Sequence, residues 1–240
     1  MTIIVPMKLV VLAAGEGVRM RPLTLNMPKP LLSFGGKTLL DHLFEVLPKE
    51  ITEAVITVGY LGNKIRKYCG DEFHGRKVAY IEGSMDGNAA GFLKAKSLFS
   101  PKERLAISYG DEVITKKEME DCLAHEYSWL CYKMENPKNV GVARVDSKNK
   151  ILEVLEKPEV PPSNLVANGF MVGNADLFDY TPDKNKNGEY YFSSLMNTFC
   201  KKNDVVAVIG EEDHAQMSTP EDLKRLDEWY RKNSKFNQKK

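Results

Sequence analysis

Two glycines, an arginine and a lysine near the start of the sequence form a pattern that suits a polyphosphate site. Gly15 and Gly17 follow an apolar stretch, and Arg19 comes two residues later. Glycines let backbone N–H groups approach a phosphate closely, and an arginine presents a fork of donors to phosphate oxygens. Lys29 stands between two prolines, which restrict the backbone and so hold the lysine charge at a defined point. We therefore expect this segment to bind a polyphosphate.

Two other phosphate-binding patterns fit the sequence less well. The dinucleotide fingerprint G-x-G-x-x-G needs a third glycine where this chain has Met20. The P-loop pattern G-x-x-x-x-G-K-[ST] ends correctly at 36–38, but Leu31 replaces its first glycine. We interpret "FGGKT" as a turn before a helix, with Thr38 as the N-cap and Asp41 as its box partner.

The elements that position these residues alternate along the first half of the chain. Apolar strands are predicted at 8–15, 53–60, 77–82 and 104–111, separated by stretches with helical periodicity. This alternation predicts parallel strands with right-handed crossovers, and ligands of such sheets bind beyond the carboxyl ends of the strands. The glycine loop leaves the first strand at that edge.

The second half has a different pattern. Segments 128–135, 140–158 and 165–174 are typical of antiparallel strands joined by tight turns, and helices are predicted near 190–202 and 219–231. The sequence therefore predicts an α/β fold with a parallel half and a mixed half.

The composition is that of an ordinary globular protein. The 240 residues are 42% hydrophobic and 28% charged with a net charge of +1, so no overall field favours nucleic acid or an acidic membrane. The longest apolar stretch is too short to span a bilayer, and the start lacks the basic residues of a signal peptide. The four cysteines show no metal-ligand spacing, which favours reduced thiols and a cytoplasmic location.

The stretch "LAAGEGVRMRPLTLNMPKPLLSFGGKTLLDH" closely resembles the N-terminal signature of the sugar-nucleotide pyrophosphorylases, which are sugar-1-phosphate nucleotidyltransferases. That signature reads G-x-G-[ST]-R-[LM]-x-P-L-T, then P-K-P-[LM] and a G-x-P-[ML] turn. The chain departs from it at Val18 and Thr38. The segments "EGSMDGNAAG", "SYGDEV", "LEKP", "ANGFMV" and "STPEDL" resemble later family motifs, so the similarity extends over about residues 7–230.

The resemblance implies a Rossmann-like, mixed and mostly parallel sheet flanked by helices, the GT-A-like nucleotidyltransferase fold, without the β-helix domain of longer members. We expect one nucleotidyltransferase domain at 1–232. Its nucleotide-binding half would span about 7–112 and its sugar-phosphate-binding half about 113–232. Residues 233–240 have the composition of a polar tail.

The resemblance also implies a reaction, in which a sugar-phosphate oxygen attacks the α-phosphorus of an NTP and pyrophosphate leaves. Two anions must approach each other, so catalysis depends on positioning and charge stabilisation. Arg19 would hold the leaving β- and γ-phosphates, Lys29 the α-phosphate, and Lys157 the sugar phosphate. Asp111 would bind a Mg²⁺ ion that bridges the phosphates.

Other positions receive binding roles from the same resemblance. The nucleotide-binding positions are Leu12, Ala13, Ala14, Gly15, Gly17, Glu82, Gly87 and Asn88, with Glu82 and Gly87 as base contacts. The positions at the sugar side are Glu156, Lys157, Asn168 and Glu189, and the metal ligands are Asp111 and Gln216.

Gln216 is the main departure from the family pattern. Many members have W-x-D-x-G-T-P, in which the Asp is a second metal ligand, and counting back from Pro220 puts Gln216 at that position. An amide oxygen coordinates Mg²⁺ without adding negative charge. The metal would then depend on Asp111, phosphate oxygens and water.

The expected partners are an NTP and a sugar 1-phosphate, with no nucleic acid and no membrane, and the resemblance leaves a homo-oligomer open. Two alternatives also stay open. A different acceptor would make the chain a phosphoalcohol cytidylyltransferase. The departures at Gln216 and Ser218 also suit a catalytically silent homologue that binds nucleotide sugars and regulates a partner. The sequence predicts neither the base nor the sugar.

Overall fold

The fold alternates strands and helices in the first half and is richer in antiparallel strands in the second. A computed structural model of the protein describes residues 6–138, 140–185, 188–210 and 218–237. The strands are β1 (Met7–Leu12), β2 (Ser33–Phe34), β3 (Lys37–Thr38), β4 (Ile51–Val58), β5 (Glu72–Phe73), β6 (Arg76–Glu82), β7 (Arg104–Tyr109), β8 (Ser128–Lys133), β9 (Gly141–Val145), β10 (Ile151–Glu156), β11 (Leu165–Asn174) and β12 (Val206–Ile209). The helices are α1 (Leu39–Glu45), α2 (Gly62–Cys69), α3 (Asn88–Leu93), α4 (Lys116–Leu123), α5 (Phe192–Cys200) and α6 (Pro220–Asn237).

The centre of the sheet is parallel, which confirms the prediction for the first half. β1 pairs in parallel with β4 on one side and β7 on the other, and β4 pairs in parallel with β6. Val10 and Val11 of β1 face opposite sides of the sheet, and both are fully buried because both sides are covered. The register places Leu12 between Thr57 and Tyr109, so three strand ends meet at one edge.

Beyond β7 the pairing becomes antiparallel, as predicted for the second half. β11 runs antiparallel to β7, β8 and β9, and β9 runs antiparallel to β10. β12 differs, because it pairs in parallel with β8. Among the described residues the sheet order is β10-β9-β11-β7-β1-β4-β6-β5, with β8 joining β11 to β12. The β7–β11 ladder thus connects the two halves directly.

Helices cover both faces of this sheet. On one face, Phe92 of α3 and Phe199 of α5 pack with Val10 in one buried cluster. On the other face, Phe44 of α1 and Ile65 of α2 pack with other apolar residues of β1 and β4. Within the described ranges no helix has the length and hydropathy needed to cross a bilayer.

The helix predicted after Gly87 is shorter than its periodicity suggested. α3 ends at Leu93, and the chain continues as a 3₁₀ turn over Lys94–Leu98. A three-residue period puts Phe92, Ala95 and Leu98 on one side, and Phe92 and Ala95 are fully buried while Leu98 packs against the same cluster. Tertiary burial therefore favours the tighter turn over the α-helix.

Two helices begin with the same reciprocal cap. Thr38 accepts a hydrogen bond from the Asp41 N–H while the Asp41 side chain accepts from the Thr38 N–H, which confirms the predicted N-terminus of α1. Thr115 and Glu118 repeat this arrangement at α4, a helix that the sequence analysis missed. The T-x-x-E spacing is the signal that locates it.

Asp41 does more than cap α1. Its carboxylate also accepts hydrogen bonds from the Tyr68 hydroxyl at 2.7 Å and contacts His74 Nε2 at 3.0 Å. Burial alone raises the pKa of Asp41, but the hydrogen bonds from His74, Tyr68 and Thr38 outweigh it and lower the pKa from 3.8 to about 2. One carboxylate thereby joins α1 to α2 and to the turn after β5.

We predict that Asp41→Asn lowers the free energy of unfolding by about 1–2 kcal/mol at pH 7. Because the folded state depresses the pKa, this contribution is complete above pH 4 and is lost as the pH falls towards 2. Denaturant titrations of both proteins between pH 2 and pH 7 measure the difference.

Asp121→Asn is the matched control, since Asp121 is 47% exposed and makes an i,i+4 pair with Lys117. That variant should change stability by less than about 0.5 kcal/mol. A wild-type advantage over Asp41→Asn that did not vary with pH would contradict the ionised role of Asp41.

Candidate active site

A cleft of about 650 Å³ lies beyond the carboxyl ends of β1 and β7, the edge at which open α/β sheets bind ligands. The chain from Leu12 to Met20, called here the N-terminal loop, lines it without interruption. The β6–α3 loop, defined as residues 83–87, and the segment that precedes α5 also contribute to its lining. Elements of both halves of the chain therefore face one space.

Small residues let the strand ends converge at this cleft. A Cβ atom added to Gly83 would lie 2.4 Å from the Ala14 Cβ, and one added to Gly59 would lie 2.7 Å from the Ala14 carbonyl oxygen. Gly17 has a φ of +61°, and the buried Thr24 hydroxyl donates to its carbonyl at 2.8 Å. The hydrogen bond from Thr24 folds the chain back onto Gly17, and the N-terminal loop faces the cleft.

Arg19 reaches the cleft from a short turn of this loop. It lies in a 3₁₀ turn, Val18–Met20, in which Met20 is 1% exposed. Met20 packs in a small cluster with Leu32 and Phe34, while Arg19 remains exposed and lines the cleft. Burial of Met20 thus fixes the turn, while the Arg19 side chain stays exposed at the cleft.

Lys29 and Asp111 contact each other in the cleft. The Lys29 ammonium donates a hydrogen bond to Asp111 Oδ2, and the two side chains are 12% and 33% exposed. The residues next to them in the sequence also lie close together. A Cβ added to Gly110, which precedes Asp111, would lie 3.3 Å from the Cγ of Pro30, which follows Lys29. The structure therefore brings together two of the predicted catalytic residues from positions 82 residues apart.

Glu112 is a buried carboxyl group that the sequence analysis did not single out. It is 4% exposed, and its Oε1 accepts a hydrogen bond from the Gly169 N–H at 3.0 Å. Burial raises the pKa of Glu112 well above its ordinary value, and the adjacent Asp111 charge raises it further. Glu112 thus ties the turn that holds Asp111 to β11. A glutamate after "GD" resembles any loop glutamate, so only the fold reveals this contact.

Tyr109 and Tyr191 are two further lining residues that sequence reasoning missed. Burial raises the pKa of Tyr109 well above its ordinary value, and the nearby carboxylates of Glu112, Glu156 and Asp111 act in the same direction. Tyr109 is therefore a neutral hydroxyl at physiological pH. No spacing rule predicts these rings, because each belongs to a different element.

The residues predicted to contact the base occupy different environments. Gly87 lines the cleft at the start of α3, together with Asn88, which was predicted to bind the nucleotide but not specifically its base. Glu82 lies at the end of β6 with a side chain that is 73% exposed and paired with Arg66, and it is not among the cleft residues. The base-contact role of Glu82 stays a prediction that this arrangement does not support directly.

The residues predicted at the sugar side lie around the segment before α5. Glu189 and Tyr191 line the cleft. The Lys157 ammonium lies 4.9 Å from the centroid of the Tyr191 ring, and Glu156 accepts a hydrogen bond from the Ser193 hydroxyl at 2.7 Å. Glu156 and Lys157 thus reach the cleft through neighbours rather than lining it themselves.

Two of the predicted site residues, Gln216 and Asn168, have no described side chain. Gln216 lies outside the described residues, and of Asn168 only the backbone is described, within β11. Ser218, which the sequence marked as a departure from the family pattern, lines the cleft just before α6. The Asp222 carboxylate accepts hydrogen bonds from the N–H groups of Ser218 and Thr219, which fixes the start of that helix.

The donor set fits a metal that arrives with phosphates. Within the described residues no group of three or more His, Cys, Asp or Glu side chains could hold a metal ion. Asp111 presents a carboxylate to the cleft beside the N-terminal loop. Mg²⁺ keeps several waters and commonly binds through one or two carboxylates plus substrate phosphates, so one carboxylate in an open cleft suits it.

Comparison with known proteins agrees with this geometry. The family model described as nucleotidyl transferase matches residues 8–229. The bifunctional protein GlmU of Methanocaldococcus jannaschii is 34% identical over 72% of this chain and 41% of its own length. The UTP–glucose-1-phosphate uridylyltransferase AglF of Haloferax volcanii is 30% identical over 85% of this chain and 87% of its own.

This chain spans about half the length of some curated relatives. One of them is a bifunctional sugar-1-phosphate nucleotidylyltransferase/acetyltransferase from Sulfurisphaera tokodaii, which is 29% identical to this chain over 57% of its own length. Among solved structures, a UDP-glucose pyrophosphorylase complexed with UDP-glucose superposes with a TM-score of 0.82. The match covers 95% of this chain and 99% of that one at 20% identity, which establishes a shared fold.

Gly87 provides a test of the geometry of the β6–α3 loop. Its φ is +116°, and an added Cβ would lie 2.4 Å from the Tyr190 carbonyl oxygen. We predict that Gly87→Ala lowers the free energy of unfolding by about 1–3 kcal/mol, because it combines backbone strain with a clash against backbone. Denaturant unfolding measures the change.

Gly15→Ala is the control, since a Cβ at Gly15 meets nothing within 4 Å. It should leave stability within about 0.5 kcal/mol of the wild type. Equal stabilities for Gly87→Ala and Gly15→Ala would show that the close contact with Tyr190 is not made.

Proposed function

This chain belongs to the nucleotidyl transferase family, and we propose that it transfers a nucleotidyl group from an NTP to a sugar 1-phosphate, giving an NDP-sugar and pyrophosphate. The named activities of its relatives support the proposal. One is described as a sugar-1-phosphate nucleotidylyltransferase/acetyltransferase and another as a UTP–glucose-1-phosphate uridylyltransferase.

The observation that carries the proposal is the contact between Lys29 and Asp111 at the N-terminal loop. A cation and a metal-binding carboxylate at one point are the two groups needed where an α-phosphate is attacked. The loop adds backbone N–H groups, and Arg19 adds a second cation at the same cleft.

The proposed roles follow from the charges of the reactants. The attacking sugar phosphate and the triphosphate are both anions, so their approach requires compensating positive charge. Arg19 binds the leaving β- and γ-phosphates, and Lys29 stabilises charge on the α-phosphate. Lys157 binds the incoming sugar phosphate after leaving the face of Tyr191.

Asp111 is the residue that would hold Mg²⁺, with the remaining coordination from phosphate oxygens and water. When bound, Mg²⁺ neutralises charge on the phosphates and orients them for displacement. Lys29 and Asp111 neutralise each other before the substrate binds, so each can exchange its partner for one of opposite charge on the nucleotide complex.

The direct test of this function is pyrophosphate release. The protein is mixed with Mg²⁺, each of the common NTPs and a panel of sugar 1-phosphates and phosphoalcohols. We expect release only with a sugar 1-phosphate. Release with a phosphoalcohol alone would identify a cytidylyltransferase-type acceptor, and nucleotide-sugar binding without any release would identify a silent homologue; either result contradicts the proposal.

We predict that Arg19→Ala and Asp111→Asn each lower kcat by about 100- to 1,000-fold, which is the loss typical of removing one preorganised stabilising group. Asp111→Asn should also raise the Mg²⁺ concentration needed for half-maximal rate, because the amide supplies no charge. Initial rates across a Mg²⁺ titration measure both effects.

Arg21→Ala is the matched control for Arg19. Arg21 lies two residues away, pairs with Glu16 at 3.1 Å and is not among the residues that line the cleft. Its loss should change kcat by less than about threefold. Turnover that survived Arg19→Ala, or fell equally with Arg21→Ala, would remove the assigned role of Arg19.

A further inference from the structure

Residues 189–193, called here the bridge segment, connect the nucleotide side of the cleft to the sugar side. At its first end it pairs with the β6–α3 loop through backbone hydrogen bonds. The Tyr190 N–H donates to the Asp86 carbonyl at 2.7 Å, and the Ala89 N–H donates to the Tyr190 carbonyl at 3.1 Å. The two segments are therefore joined directly through their backbones.

The Asn88 side chain adds a hydrogen bond to this backbone pairing. Its Oδ1 accepts a hydrogen bond from the Phe192 N–H at 2.8 Å. Asn88 is the first residue of α3 and Phe192 is the first residue of α5, so one side chain fixes the two helix starts to each other. The same side chain interacts with Tyr109, at the end of β7.

At its other end the bridge segment holds the residues of the sugar side. The Lys157 ammonium lies 4.9 Å from the centroid of the Tyr191 ring, and the Ser193 hydroxyl donates a hydrogen bond to the Glu156 carboxylate at 2.7 Å. A shift of the bridge segment would therefore displace both Glu156 and Lys157. The chain of contacts from Asn88 to Lys157 is continuous and passes through residues that line the cleft.

The environment of Asn88 argues against a contact between its side-chain oxygen and the base. Its side-chain oxygen is already engaged by Phe192, and breaking that bond would leave the N–H at the start of α5 without its partner.

We propose that Asn88 is a positioning residue that couples nucleotide binding in the cleft to sugar-phosphate binding at Lys157. This inference rests on the proposed function. A nucleotide that orders the β6–α3 loop also orders the bridge segment, so the second substrate binds to a site whose ordering is already complete. The effect must be reciprocal, because the coupling free energy belongs to the pair of ligands.

The test measures one ratio by calorimetry with the full chain and Mg²⁺. It is the Kd of α,β-methylene-UTP without glucose 1-phosphate divided by its Kd with saturating glucose 1-phosphate. If another pair releases pyrophosphate, the corresponding analogue and sugar phosphate replace these probes. We expect a ratio of about five or more for the wild type, and a ratio near one for Asn88→Leu, which keeps the size of the side chain but removes its polar atoms.

A conservative variant and a matched control distinguish a loss of coupling between the two ligands from a general disturbance of the fold. Asn88→Asp keeps an oxygen that accepts from Phe192, so it should retain most of the wild-type ratio even where its charge weakens nucleotide binding under both conditions. Asn203→Leu removes an amide of similar burial at the far end of α5, where it donates to Tyr180 and Phe199 at 3.0 Å. This control should keep the wild-type ratio.

A wild-type ratio of one, or an unchanged ratio in Asn88→Leu, would overturn the inference. If Asn88→Leu does not fold, Asn88→Ser is measured instead and must give the same loss, because its shorter side chain does not reach Phe192. The pyrophosphate assay keeps the two hypotheses apart: a wild type that releases pyrophosphate while its ratio is one refutes the coupling alone, and a wild type that releases none refutes the proposed function.

Discussion

The cleft depends on the ion pair between Lys29 and Asp111. A lysine whose side chain is only 12% exposed is unfavourable without a counter-charge, and Asp111 is a carboxylate that the fold supplies. The pair also keeps two groups of opposite charge at the place where the proposed reaction would bring a negatively charged substrate and a cation together. The two residues that pair with each other in the free protein are thus the ones that the proposed reaction separates.

The sheet makes this pair possible. β1 and β7 are parallel neighbours, so the loops that follow them begin at the same edge. The two loops pack closely, because a Cβ added to Gly110 would lie 3.3 Å from Pro30 Cγ. Because β11 runs antiparallel to β7, residues of the second half of the chain, including those predicted to bind the sugar phosphate, approach the same edge. The cleft is therefore shared by both halves of the sheet rather than contained in one.

Much of this could be predicted from local pattern. The parallel strands followed from alternation, the N-terminus of α1 followed from its Thr and Asp spacing, and the positions of Arg19 and Lys29 followed from a long motif. The contacts of Glu112 with Gly169 and of Asn88 with Phe192 could not be predicted, because each joins residues more than 50 positions apart. The exposed position of Glu82 could not be predicted either, because its pairing with Arg66, 16 positions away, depends on how α2 packs beside β6. Long-range contacts set the details of the site, whereas local pattern sets its location.

The most direct measurement of the central claim is a crystal structure with an α,β-methylene NTP and Mg²⁺. We expect the ion pair to be broken, with an Asp111 oxygen about 2.1 Å from the metal and the Lys29 ammonium on a phosphate oxygen. A nucleotide bound in the cleft while Lys29 and Asp111 still contact only each other would contradict the claim.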